Sequence, residues 1–148
     1  MKTIKTTIIL ILITFSVNAQ YYEYSFNAEL DHNTNKRIEF RGMYENWYIG
    51  LYGENVRQEN NMFGYGFNLG LFNRHQNFTF LYGVKLGILD SGSNKPLYGL
   101  NAEVDYSTSD VFFVGLKAEY SIYHNGLQNN EVVTVSIPSV SLKFGIKF

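Results

Sequence analysis

The chain has 148 residues, the length of one domain, with a formal charge of −1 and no cysteine. A disulfide framework, a thiolate metal site and an acylated cysteine are excluded, and no basic surplus marks a nucleic-acid partner. Charged residues make up only 17% and aromatic residues a full 17%; with 13 Gly against 2 Pro, this composition suits strands and tight turns better than helices.

The first segment reads as an export signal. Lys2 and Lys5 precede an almost unbroken apolar run over residues 8–15, and Val17-Asn18-Ala19 supplies small residues before Gln20. This pattern predicts a signal peptide over 1–19 and a mature domain over 20–148. Its apolar core is too short to span a bilayer as a helix. Without the two lysines the chain keeps 10 basic and 13 acidic residues, a formal charge of −3.

From residue 21 onward apolar residues recur at every second position, the period of a strand with two different faces. In YYEYSFNAEL one face carries Tyr22, Tyr24, Phe26, Ala28 and Leu30. RIEFRGMY sets Ile38, Phe40 and Tyr44 against Arg37, Glu39 and Arg41. The phase then changes, because Trp47, Ile49 and Leu51 are odd-numbered. A two-residue turn at Glu45-Asn46 accounts for this, since the residues flanking a hairpin turn share a face. A bulge in one long strand would leave seven strands, whereas the turn leaves eight. MFGYGFNLGLF, FTFLYGVKLGIL, YGLNAEVDYS and VFFVGLKAEYSIY continue the alternation, and VSLKFGIKF ends it on Phe148.

These segments predict an all-β fold, an eight-stranded antiparallel up-and-down barrel that spans a membrane. Open sheet edges are not viable in lipid, so the barrel must close. The expected connections are residues 31–36, 45–46, 54–61, 73–77, 90–97, 108–110 and 124–137. Every second one is short, as with tight periplasmic turns and longer external loops. With the short turns at one level, outward Tyr22, Tyr44, Trp47, Phe78, Tyr106, Phe112 and Phe148 form a ring, and only the fourth strand, with Leu71, breaks it. Tyr and Trp favour the headgroup boundary, so this is a candidate periplasmic girdle.

The pattern over 21–148, with its terminal SLKFGIKF, resembles the small eight-stranded outer-membrane barrels of Gram-negative envelopes, the group that includes OmpX and the membrane domain of OmpA. The resemblance implies integral outer-membrane localisation, with lipid and the outer-membrane assembly machinery as partners. It also implies that Val140, Leu142, Phe144, Ile146 and Phe148 are the C-terminal signal which that machinery recognises.

Inward positions carry Glu23, Glu29, Glu39, Glu103, Asp105 and Glu119 against Arg37, Arg41, Lys85, Lys117, Lys143 and Lys147, six acids facing six bases. An eight-stranded barrel is just wide enough for side chains to fill, and charges there must pair. The expectation is a salt-bridge network, further plugged by Tyr48, Leu81 and Phe113, and neither a solute channel nor a catalytic cluster. His32 and His124 fall in external loops and His75 in a short turn. The stretches DHNT and YHNG lack the His-x-Ser arrangement of the lipid A deacylase barrels. No cofactor or metal site is expected.

Val133, Val135 and Ile137 are odd whereas Val140 and Leu142 are even, so a bulge is expected at Pro138-Ser139. The last strand then either continues as a protruding ribbon, offering an edge to an extracellular partner, or gives way to a mobile loop. The expected role is non-enzymatic, in envelope integrity or surface interaction through the external loops. The alternatives are a lipid-modifying barrel enzyme and a secreted soluble barrel that binds an apolar ligand.

Overall fold

The computed structural model describes residues 22–31, 35–57, 61–90, 94–128 and 131–148. The expected signal peptide and His32 lie outside them. The strands are β1 (Tyr22–Asp31), β2 (Lys36–Tyr44), β3 (Trp47–Arg57), β4 (Asn61–His75), β5 (Phe78–Asp90), β6 (Asn94–Ser107), β7 (Phe112–Gln128) and β8 (Glu131–Lys147). They form one closed barrel in chain order, every neighbour antiparallel. Among the described residues no helix is long and apolar enough to cross a membrane, so any crossing is made by strands.

Two tight turns set the register at one end. Tyr44 pairs with Trp47 around Glu45-Asn46, and His75 with Phe78 around Gln76-Asn77. Each needs a left-handed first residue, and Glu45 (φ 52°) and Gln76 (φ 54°) take that conformation despite having side chains. His75 is therefore the last residue of a strand and not part of a five-residue turn. Thr108 and Ser109 close the third turn by donating backbone N–H groups to the Phe112 carbonyl.

At the other end the strands outrun the expected loops. β3 continues to Arg57, β6 begins at Asn94, and β7 and β8 are 17 residues each. The asymmetry between the two ends therefore lies in strand length, and the rim rises from the short β1–β2 hairpin to a tall β7–β8 ribbon. The bulge expected at Pro138-Ser139 is absent: Tyr120 pairs with Pro138 and Glu119 with Ser139 in unbroken register, and the irregularity lies between His124 and Leu127. Pro138 is tolerated for a different reason. β1 ends at Asp31, opposite Ser141, so at Pro138 the strand has no described neighbour on that side, and an edge accepts a missing N–H.

The seam closes on the last residue. The Phe148 N–H donates to the Tyr24 carbonyl and the Tyr24 N–H to the Phe148 carbonyl. The Phe148 ring lies 6.4 Å from Tyr24 and 6.2 Å from Phe40, centroid to centroid.

Candidate functional site

The lumen holds the chemistry, and glycines make room for it. Gly66 pairs with Gly87 and Gly70 with Gly83 across β4 and β5. A Cβ at Gly87 would strike the Tyr52 hydroxyl, and one at Gly83 the Tyr48 hydroxyl. Two large β3 side chains thus lie over glycines of β4 and β5, on either side of inward Asn68 and Lys85.

Between the ends sits an ion-pair network in two tiers. In the tier nearer the ribbon, Arg37 donates to Glu54 and to both oxygens of Glu119 at 2.7 and 2.8 Å. Lys85 bridges the same two carboxylates at 2.6 and 2.7 Å. In the tier nearer the turns, Arg41 joins Glu39 at 3.0 Å and Glu103 at 2.8 Å, while Lys143 joins Glu103 and Asp105. Lys117 stands between the tiers, 3.4–3.8 Å from Glu29, Glu39, Glu103 and Glu119. All eleven of these charged residues are buried. Isolated buried ions are costly, so such charges persist only as a connected set.

Three of the expected positions differ. Glu23 pairs with Arg74 at the turn-end rim, 2.7 Å away and partly exposed, outside the network. Lys147 donates to the Ser107 hydroxyl instead of a carboxylate. Glu54, expected in a loop, is a network member, because β3 does not end at Gly53. The six-to-six balance becomes six buried acids against five buried bases. Glu54 could have been found by continuing the even-numbered inward phase of Tyr48 and Tyr52.

An apolar plug closes each end. Met43, Tyr48, Phe72 and Leu81 form the one beside the turns; the Tyr48 hydroxyl donates to Asn101 at 2.8 Å, and the Arg41 guanidinium lies 4.9 Å from the Tyr48 ring centre, tying plug to network. Val56, Met62, Leu89, Leu97, Tyr123 and Ile137, with Val135 against them, form the other beneath the ribbon. A cavity of about 30 Å³ lies between this second plug and Arg37, Glu54 and Glu119, room for roughly two waters and no passage for a solute.

The outside is the reverse of the lumen. Val84, Leu100, Leu116 and Leu142 stand exposed from four neighbouring strands, β5 to β8, as do Phe67, Ile49 and Phe40 on the strands that continue the wall. A continuous belt of this kind is far larger than a water-facing surface carries. A secreted barrel that binds an apolar ligand would have the opposite arrangement, with the apolar residues lining its lumen.

At the turn end Tyr44, Trp47, Phe78, Tyr106, Phe112 and Phe148 are exposed on the outer surface, and Phe78 lies 5.0 Å from Tyr106. Tyr22 pairs through its backbone with Tyr44. Val140, Leu142, Phe144 and Ile146 form an exposed row leading to Phe148. His124 is exposed on the ribbon, its Nδ1 3.2 Å from the Thr134 hydroxyl. Among the described residues no trio of His, Asp or Glu side chains is arranged to hold a metal ion.

Solved structures share this architecture. The outer-membrane protein Ail of Yersinia pestis, in a phospholipid bilayer nanodisc, matches with a TM-score of 0.57 at 13% identity, over 86% of this chain and 99% of that one. The chain has the fold of the small eight-stranded outer-membrane barrels. The N-terminal β-barrel domain of Pseudomonas aeruginosa OprF gives 0.56 at 11% identity, over 86% and 96%. A de novo designed transmembrane β-barrel gives 0.51 at 11%, over 86% and 95%. No family model matches the sequence, and no curated protein matches it. At these identities the likeness is one of fold. The apolar belt adds that the barrel is built to lie in lipid.

Proposed function

We propose that this protein is an integral outer-membrane barrel with a sealed, side-chain-filled lumen, whose work is surface interaction through the β7–β8 ribbon and not catalysis or transport. One observation carries this reading. Beyond Ser141 the β8 edge has no described strand beside it, and its outward N–H and C=O groups at Thr134 and Ser136 are available to an extended segment of a partner. The even-numbered residues of β8 direct their N–H groups to that side, as Phe148 does toward Tyr24. The crystal structure of Ail, the attachment invasion locus protein of Yersinia pestis, also matches this fold, with a TM-score of 0.50 at 12% identity. The name of that protein gives attachment as a precedent on a barrel of this size.

Export by a signal peptide and recognition of the Val140–Phe148 row by the assembly machinery complete the reading. The lumen carboxylates serve as ion-pair partners, each facing a cation, and this favours a structural role over acid–base work. The test replaces residues 124–134 with an Asn-Gly turn, which keeps Tyr123 opposite Val135. Cells displaying either form are scored for adherence to immobilised extracellular-matrix proteins and to one another. Loss of adherence, with heat-modifiable migration in SDS retained, supports the ribbon. Equal adherence removes it.

A further inference from the structure

The open edge of β8 stands beside the mouth of the lumen cavity. Ile137, Ser139 and Ser141 form one side of that cavity, and Glu29 and Asp31 line it from β1. β1 ends at Asp31, opposite Ser141, so beside Ser139 and Ile137 no described strand completes the wall. Asp31, Asn35 and Ser139 are half-buried there, whereas Glu29, Glu54 and Glu119 deeper in are buried.

The lining is short of positive charge. Glu29, Asp31, Glu54 and Glu119 contribute four carboxylates, against the two cations Arg37 and Lys85. Both cations bridge Glu54 and Glu119 closely. Glu29 is held loosely: its contacts with Arg37, Lys117 and the Ser141 hydroxyl are each 3.4 Å, longer than a close charge-assisted hydrogen bond. Asp31, the next inward residue of β1, accepts hydrogen bonds from the backbone and side-chain amides of Asn35. Toward the ribbon the lining turns apolar at Val56 and Ile137, each two positions beyond a polar member of the same strand. An apolar upper wall over a carboxylate floor matches a lysine side chain, aliphatic along its stem and charged at its tip. At about 30 Å³ the space suits a compact ammonium better than a planar guanidinium.

We propose that the segment added at the β8 edge carries a lysine on its inward face beside Ser139, and that the lysine ammonium is seated in this cavity against Glu29 and Asp31. The inference rests on the strand addition proposed above and names the partner's chemistry, an extended basic segment. Ser139 already stands opposite Glu119 across β7–β8, so the lysine extends a row that begins with a carboxylate. In the lane that β1 vacates, the partner runs antiparallel to β8, away from the membrane. Its inward residues meet Ser139, Ile137 and Val135 in turn, so the lysine comes first and apolar residues follow at every second position. Its outward residues flank exposed Ser136 and Thr134 and are polar.

The experiment titrates the full mature barrel in lipid nanodiscs into fluorescein-labelled, amidated peptides and reads anisotropy. The probe is the peptide SKTVTVS. One control carries Nε-acetyllysine in place of the lysine, which removes the charge. The other, STKVTVS, has the same composition and charge but turns the lysine to the outward face. SKTVTVS should bind at least about tenfold tighter than either control. Asp31→Asn, which keeps an acceptor for the Asn35 N–H, should remove most of that preference. Equal binding of the three peptides leaves strand addition standing and refutes the lysine seat. Equal binding of SKTVTVS and STKVTVS, both above the acetylated peptide, reduces the effect to general charge attraction and also refutes the seat. If no peptide binds, the seat falls, and the adherence test of the shortened ribbon decides separately whether the ribbon reading survives. Nα-acetyl-lysine methylamide competing as strongly as SKTVTVS would make the cavity a site for free amines and overturn the strand-borne lysine. Should Asp31→Asn lose its heat-modifiable migration, the three peptides on the wild type decide alone.

Discussion

Lys143 and Ile137 both point toward the barrel axis from β8, and Phe144 and Thr134 both point away, yet each pair has opposite polarity. At the level of the apolar belt the inside is charged and the outside apolar. Under the ribbon Val56, Leu97, Tyr123 and Ile137 make the inside apolar, while Asn55, His124, Thr134 and Ser136 make the outside polar. The phase of β8 does not change between the two levels. What changes is the solvent, lipid at one level and water at the next, so the apolar face of a strand marks whichever side is dry. The barrel is two proteins stacked on a common set of strands: a membrane protein with a polar core and a water-facing one with an apolar core.

The comparison breaks most sharply at Lys117. Lys117→Met should cost about 3–5 kcal/mol, because it removes the one cation shared by the two tiers and leaves six buried carboxylates to four bases. Adding Glu29→Leu restores the original excess of one and should recover a large part of the loss. Urea unfolding in lipid vesicles, followed by the fluorescence of the single tryptophan, Trp47, measures both. A double variant no better than the single one would mean that Lys117 acts through packing.

Outward positions separate the two levels directly. Leu116→Arg puts a charge into the belt and should cost about 2–4 kcal/mol. Ser136→Arg, on the same outer face but at the ribbon, should change stability by less than about 0.5 kcal/mol. Equal penalties at the two sites in a refolding titration would place the ribbon in lipid and remove the distinction.

That distinction also explains which features were legible in the sequence. Alternation within the belt revealed eight strands, the Glu45-Asn46 turn and the inward charges, because one side of each strand faces lipid over its whole crossing. The strand ends are not legible where alternation stops or reverses. Val133, Val135 and Ile137 suggested a bulge at Pro138, but the reversal marks the height at which β8 leaves the belt. Glu54 falls in the expected 54–61 loop, and Gly53-Glu54-Asn55 has no apolar member to mark a strand, though Val56 behind them continues the inward phase into the second plug. Nothing in a linear pattern could pair Glu23 with Arg74, since that contact depends on the barrel closing.

Smaller changes sharpen the comparison at equal chemistry. Ile137→Val removes a methylene from the packed plug and should cost about 0.5–1.5 kcal/mol. Ile146→Val removes the same group from the lipid-facing row of the same strand. Acyl chains fill the space left behind, so no cavity remains and the cost should be close to zero. Equal losses in the urea titration would indicate that the ribbon plug is as pliable as lipid.

The smallest expected effect is on ion flow. Two apolar plugs stand in series with a network whose residual cavity is about 30 Å³, so the purified barrel in a planar bilayer should pass no steady current. Because the plugs are in series, opening one should not suffice. Leu97→Ala loosens the plug under the ribbon, while Met43, Tyr48, Phe72 and Leu81 still close the turn end. Leu81→Ala loosens the other and leaves the first. Either single variant should therefore stay silent, and only the pair should give brief, small openings, limited by the charges between them. A single variant that conducts steadily would show that one plug alone seals the barrel. The charged lumen behind it would then be an open aqueous path and not a packed core.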